Sequence, residues 1–245
     1  MDIQPDLSVC IFGALEEGPL ARLLEAVAAA ADPLAVESVV VTTRQRAAAL
    51  DARFPRVLFF ETGGDEPPPV AGNRALRLAK GRYLALFTAP TLFPPETLRQ
   101  LVDFLDERPE VGLAGPRLQN GSGAALPSAG FAPSGLRLLA AAAGAGPGSP
   151  RPGLLTVPAF SREVDWLAGN GLVIRREAVE ELGLLAEGLP LLWDLEFGMR
   201  AKGAGWHAFF LHEARAVCPA PSVTPRGPAA LLAEAGRYLL RRLVQ

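Results

Sequence analysis

Residues 7–12 form a short apolar run after a proline, with the length and β-branching of a buried strand. Gly13 closes it. From Pro19 the period changes. Leu20, Leu23, Leu24 and Val27 recur at helical spacing and predict a helix over residues 19–31, starting where a missing N–H costs nothing. Residues 36–41 predict a second buried strand, 44–54 a polar-faced helix and 57–60 a third strand. This alternation argues for a parallel sheet with helices on its faces. Residues 62–70 hold two glycines and three consecutive prolines, which predicts a loop with no regular element. A short helix is expected over 72–79 and a strand over 82–87. An amphipathic helix over 96–107 carries Leu98, Leu101, Val102 and Leu105 on one stripe, and a strand over 111–115 follows.

The second half is less regular. Residues 119–152 are rich in Gly, Ala, Pro and Ser and read as a flexible connection around one helix, 134–143. Residues 164–174 read as one strand interrupted by Gly169 and Gly171. Helices are expected over 176–182 and 194–202, late strands over 208–211 and 214–217, and a terminal amphipathic helix over 228–243. No repeat of fixed period is present. The expected fold class is α/β: a Rossmann-like, mainly parallel central sheet flanked by helices, with a small antiparallel portion towards the C-terminus.

Composition narrows the function classes. The chain has 245 residues, 49% of them hydrophobic, enough for a sizeable core. A net charge of -2 leaves no electrostatic footprint for nucleic acid. Two cysteines, Cys10 and Cys218, both in apolar stretches, exclude a disulfide-stapled scaffold and read as buried thiols. No apolar run is long enough to cross a bilayer, and Asp2 and Asp6 stand where a leader would carry positive charge. The expected location is cytoplasmic. Richness in Ala, Gly, Pro, Leu and Arg with few lysines fits a GC-rich bacterial genome. The last helix carries Arg237, Arg241 and Arg242 near one side and Leu239, Leu240 and Leu243 opposite. That pattern suits either a packed helix with a charged outer face or peripheral contact with anionic membrane.

Three segments recur in a telling order. The first is Gly72-Asn73, then residues 79–87, Ala-Lys-Gly-Arg-Tyr-Leu-Ala-Leu-Phe. The second begins Pro95-Glu-Thr-Leu and continues through 109–117, Pro-Glu-Val-Gly-Leu-Ala-Gly-Pro-Arg. The third runs Val164-Asp-Trp-Leu-Ala-Gly-Asn-Gly-Leu-Val-Ile-Arg-Arg, then Asp194-Leu-Glu-Phe-Gly-Met-Arg200, then Gly203-Ala-Gly-Trp206. Together they resemble the family 2 glycosyltransferases, nearest the rhamnosyltransferase-like branch, over roughly residues 7–222. The resemblance implies a GT-A fold binding a nucleotide-sugar beyond the carboxyl ends of its strands. It implies inverting transfer to a carbohydrate or lipid-linked acceptor, with a carboxylate base and a divalent metal, Mg or Mn, on the leaving diphosphate. It divides the single domain, 1–245, into a nucleotide-binding half (1–118), a flexible insertion (119–160) and an acceptor-side half (161–245). Oligomeric state is not legible.

The resemblance assigns Asp194 as catalytic base; a carboxylate at a helix start is equally an ordinary cap. Glu196 stands two residues on as an assistant or a solvated side chain, and Arg200 closes the same motif. The family's small-residue turn beside donor and acceptor falls on Gly169, Asn170 and Gly171, which also read as a plain turn or bulge. Other candidate binding residues are Thr42, where the family has an acid, and Asp65, in the glycine loop, as its substitute. Asn73 matches a family asparagine near the nucleotide, and Thr88 begins the stretch after the fourth strand. Arg44 and Arg46 suit phosphates or a solvated helix face. The metal motif should fall on Thr88-Ala89-Pro90-Thr91, which lacks any carboxylate. Trp193 replaces the glutamate of the acidic pair, and Cys218 stands near the family's late histidine. His207 and His212 read as satisfied or surface histidines. Hence no metal ligand is assigned. A transferase and an inactive pseudo-glycosyltransferase acting as a binding or scaffold protein both remain open.

Overall fold

A computed structural model describes residues 4–13, 15–144, 153–219 and 228–244, and the side chains of 242–244 stand outside that description. The expectations for Asp2, for residues 145–152 and 220–222, and for the side chains of Arg242 and Leu243 therefore fall outside it. β1 (Leu7–Ile11) is buried along its whole length, as a central parallel strand must be. α1 (Glu17–Ala29) begins two residues before Pro19, which sits in the first turn. β2 (Val36–Thr43), α2 (Arg44–Leu50) and β3 (Val57–Thr62) follow. α3 (Pro68–Leu78) corrects the loop expected up to residue 70: Pro67 is its N-cap, and Pro68 and Pro69 occupy first-turn positions whose N–H groups have no helical partner.

β4 (Tyr83–Phe87) and the amphipathic α4 (Glu96–Asp106) come next. α4 buries Leu98, Leu101, Val102 and Leu105, each worth roughly 1.5–3 kcal/mol of gross transfer free energy. β5 (Val111–Gln119) runs four residues past the expected end, through Pro116. Pro116 lies beyond the short pairing with β9, which involves only Leu113 and Ala114, and stands opposite Leu211 of β10 on the other side. β6 (Ala129–Gly130) and α5 (Gly135–Ala143) follow, with the Ser134 hydroxyl accepting from Arg137 N–H as cap.

The single strand expected over 164–174 is three: β7 (Arg162–Val164), β8 (Trp166–Leu167) and β9 (Leu172–Arg175). α6 (Arg176–Leu182) and α7 (Trp193–Gly203) are helical as expected. The two late strands are one, β10 (His207–Val217), with register shifts after His207 and between Leu211 and Arg215. A register shift interrupts the pairing without ending the strand, and hydropathy alone reads the interruption as a break. α8 (Pro228–Val244) closes the chain. Leu240, placed by the sequence opposite the arginines of this helix, is exposed.

Among the described residues the main sheet has the order β3-β2-β1-β4-β9-β5-β10-β7. β9 and β7 run antiparallel to their neighbours, and the other strands run one way. β6 and β8 form a small antiparallel ribbon. One sheet face packs α1 and α4 around Val9, Ile11, Val40, Ala85 and Phe87. The other packs α3, α6 and α7 around Cys10, Phe12, Val39, Val41, Leu84 and Leu86. The alternation along β1 and β2 assigns the two faces. α5, α8 and part of α7 enclose a third core with Trp166 and Tyr238. No helix among the described residues is long and apolar enough to cross a membrane.

Candidate functional site

β1, β2, β3 and β4 all end at one edge of the sheet, and β9 begins there. In open α/β sheets this carboxyl edge is where ligands bind. At one end of the edge lies a cleft of about 460 Å³ lined by Glu16, Glu17, Thr43, Arg44, Gln45, Arg46, Thr62 and Gly63. Its residues come from the start of α1, the β2–α2 junction and the end of β3. Arg44 is 87% exposed and stands 3.7 Å from Glu61. Arg46 is 17% exposed and bonds Asp65 at 2.6 Å, with Glu16 at 3.6 Å. The hydrogen bond that Arg46 donates to Asp65 Oδ1 holds its guanidinium above the ordinary pKa. Asp65 thus reaches the cleft as the partner of Arg46. Thr42 is buried beside it with its hydroxyl lacking a hydrogen-bond partner among the described residues, while its carbonyl accepts from Thr62 Oγ1 at 3.1 Å.

The middle of the edge is a corner where three segments meet. The Gly169–Asn170–Gly171 turn leads into β9, and Gly171 adopts φ +76°, the region open to glycine. Asn170 Oδ1 accepts from the N–H groups of Thr88 and Ala89, both at 3.1 Å, and its Nδ2 donates to Thr91 Oγ1 at 2.9 Å. Thr91 Oγ1 passes the chain on to the Ala89 carbonyl at 2.9 Å. The exit of β4 is therefore stitched to the turn by neutral amide and hydroxyl groups. Asp194, in the first turn of α7, is 3% exposed. Its Oδ2 accepts from Gly169 N–H at 3.0 Å and its Oδ1 from Leu195 N–H at 2.9 Å. Trp193 lies against the same turn: a Cβ on Gly169 would fall 2.1 Å from the indole, which also packs at 6.1 Å on the Phe12 ring.

The structure brings Asp194, Gly169, Asn170, Gly171 and Thr88 together. It sets Thr42 and Asp65 about three strand spacings away, roughly 14 Å along the edge. Asp194 does not line the cleft. Three other candidates are engaged elsewhere. Asn73 is 2% exposed; its Nδ2 donates to the Leu185 carbonyl and Glu187 Oε1, and its Oδ1 accepts from Leu185 N–H, so it clamps that loop onto α3. Glu196 bonds Arg200 along α7, and Arg200 donates to the carbonyls of Leu182 and Leu184. Sequence reasoning missed Trp193 as a packing element of the corner and missed the cleft residues Thr43, Gln45, Thr62 and Gly63. Polar residues ending apolar strand runs were the available signal for the threonines.

A divalent metal fits poorly. The loop after β4 has no carboxylate, and no group of three His, Cys, Asp or Glu side chains able to hold an ion occurs among the described residues. Burial pushes the Cys218 thiol up to about 11, against a lowering hydrogen bond with Thr91, and the Cys10 thiol up to about 12, so neither is poised as a thiolate. His207 pairs with Glu163 at 2.7 Å at the opposite edge, and His212 meets Arg117 at 2.9 Å.

Comparison with known proteins gives a consistent picture. Residues 5–239 match the family model described as "Glycosyltransferase like family 2". An N-acetylglucosaminyl-diphospho-decaprenol L-rhamnosyltransferase of Mycobacterium tuberculosis, from strains CDC 1551 and H37Rv, is 30% identical over 146 residues. That alignment covers 57% of this chain and 47% of the relative, so the match spans about half the relative's length. Among solved structures, a mannosyltransferase from Pyrobaculum calidifontis, in complex with GDP-mannose and Mn²⁺, superposes with a TM-score of 0.62 at 15% identity. The superposition covers 99% of this chain and 76% of that one, and it establishes a shared fold.

Proposed function

The chain belongs to the family 2 glycosyltransferases, and from that premise we propose that it transfers a sugar, with inversion, from a nucleotide-sugar to a carbohydrate or lipid-linked acceptor. The observation that carries the reading is the carboxyl-edge corner, where Asp194 holds the Gly169–Asn170–Gly171 turn beside the exit of β4. The donor's nucleotide occupies the cleft at the ends of β2 and β3. Glu16 or Glu17 accepts from base or ribose donors there, and the exposed Arg44 meets phosphate. The sugar then reaches along the edge to the corner. Asp194 takes the proton of the acceptor hydroxyl, the oxygen bonds to the anomeric carbon, and the bond to the diphosphate breaks on the opposite face. No step is routed through a metal, because the loop after β4 offers no carboxylate to hold one. The lipid-linked acceptor is carried by the M. tuberculosis relatives, whose name specifies a diphospho-decaprenol substrate.

A second reading, a nucleotide-sugar-binding protein without turnover, is favoured by one observation: Asp194 is 3% exposed and both its oxygens already accept backbone N–H bonds. Asp194→Asn separates the two. An amide oxygen can keep the bond from Gly169 N–H while giving up the one from Leu195 N–H, and it cannot serve as base. Nucleotide release from a panel of nucleotide-sugars is the readout. Under the transfer reading, turnover falls roughly 10²–10⁴-fold in the variant while donor affinity holds. Donor binding with no turnover in the unaltered chain supports the second reading. Absence of binding to every donor tested defeats both.

A further inference from the structure

α5 and α8 lie side by side on the third core. α5 contributes Leu138, Ala141 and Ala142 to it, and α8 contributes Leu231, Ala235 and Tyr238. A surface helix that has buried one stripe normally turns charged side chains outward. This pair turns leucines outward: Leu136 is 80% exposed, Leu139 43%, Leu232 41% and Leu240 65%. The charge on the same helices is of one sign. Arg137, Arg237 and Arg241 are exposed. Glu234, the only acid in either helix, is 2% exposed, with Oε2 accepting from Leu191 N–H. Arg137 donates to the Gly153 carbonyl and Arg237 to the Gly188 carbonyl, and none of the three arginines pairs with a carboxylate among the described residues.

We propose that the outer face of the α5–α8 pair rests on an anionic lipid surface. Exposed leucines provide area for insertion at the headgroup boundary, and arginines can lay their stems along that area with guanidinium groups among lipid phosphates. A second copy of the chain suits the face poorly. A two-fold interface sets a patch against itself, so these arginines would meet arginines with no exposed acid in either helix to answer them. An anionic bilayer supplies both the apolar phase and the opposite charge. The inference stands apart from the catalytic reading, since it would hold for a chain that binds a donor without turning it over.

The test is co-sedimentation of the full chain with vesicles of mixed phosphatidylglycerol and phosphatidylcholine, and with phosphatidylcholine alone, without any sugar donor. Binding is expected to the anionic vesicles only, and it weakens as salt rises from about 0.15 M to about 0.5 M because the charge term is screened. Arg137→Gln should lower the partition coefficient roughly fivefold. Leu136→Glu combined with Leu240→Glu should abolish binding. Both leucines are exposed, so an unchanged circular dichroism spectrum and melting temperature are expected for the double variant. Equal binding to both vesicle types, binding that survives the leucine double variant, or no binding at all would overturn the proposal. So would a self-associated form in vesicle-free buffer that the double variant dissociates, which would make the face a contact between copies.

Discussion

Asp194 and Gly169 show how one neighbouring side chain recasts a site. Trp193 precedes Asp194 where the resemblance implies a first acid, and its indole occupies the space a Cβ on Gly169 would need, 2.1 Å from that atom. The corner is thereby packed with an aromatic ring as well as bonded through Asp194 to Gly169 N–H. Gly169→Ala must push the indole off Phe12, and overpacking of this kind costs about 1–3 kcal/mol. Trp193→Ala leaves a cavity and costs about 3–5 kcal/mol. The double variant should cost clearly less than the two together, since the added methyl then enters the space the indole vacated. Urea unfolding of the three variants measures this, and simple additivity would show that the two residues do not share that space. Asn73 teaches a related lesson: an asparagine matching a nucleotide contact by motif uses its whole amide on Leu185 and Glu187.

Elements at the opposite, amino edge are joined by charge. Arg82, beside the start of β4, bonds Asp6 ahead of β1 and Asp106 at the end of α4, both at 2.9 Å. The Ala35 N–H, then Arg82, hold the Asp6 carboxyl below its ordinary value. Burial acts to raise Asp106, yet Arg82 and the Tyr83 hydroxyl together bring it below its ordinary value. Tyr83 itself is pushed up to about 12, first by burial and then by its bond to Asp106. Depressed carboxylate values mean stability that is present above the unfolded pKa, near 4, and lost as pH falls through the folded values. These side chains are between 32% and 45% exposed, so screening limits the linkage to about 0.5–1 kcal/mol. Arg82→Ala should therefore destabilise by about that amount at pH 7 and converge with the unaltered chain near pH 2–3. Chemical denaturation across that range tests it, and a pH-independent difference would remove the carboxylates from the explanation.

For the whole molecule, the eight strands of the main sheet span both halves of the chain: β1–β5 come from the first, while β7, β9 and β10 come from the second. A ligand at the carboxyl edge contacts this shared sheet and should raise the stability of the whole. At a ligand concentration of about 100 times Kd the gain is about 2.7 kcal/mol. For a chain of this size that corresponds to a rise in Tm of roughly 5–10 °C. A nucleoside diphosphate is expected to produce such a shift equally in Mn²⁺ and in a chelator, because the loop after β4 offers neutral groups where a metal needs carboxylates. A shift that appears only with Mn²⁺ would show that a metal bridges the nucleotide to the chain after all.

Periodicity in the chain was enough to determine the layered α/β architecture. Strands such as β1 and β4 are continuous apolar runs, and α4 has a single stripe, because burial on two faces or on one writes itself into local spacing. Ordered motifs likewise carried the family. Three things waited for the tertiary structure: the prolines of residues 67–69 as a helix start, the continuity of β10 through its register shifts, and the division of residues 162–175 into three strands. Each depends on which backbone groups find partners far away in sequence, and side-chain identity does not record that. The same limit applied at the site. Asn170 bonded to Thr88, Ala89 and Thr91, and Asp194 bonded to Gly169, join residues far apart in the chain. Only the closing of the sheet brings them within reach.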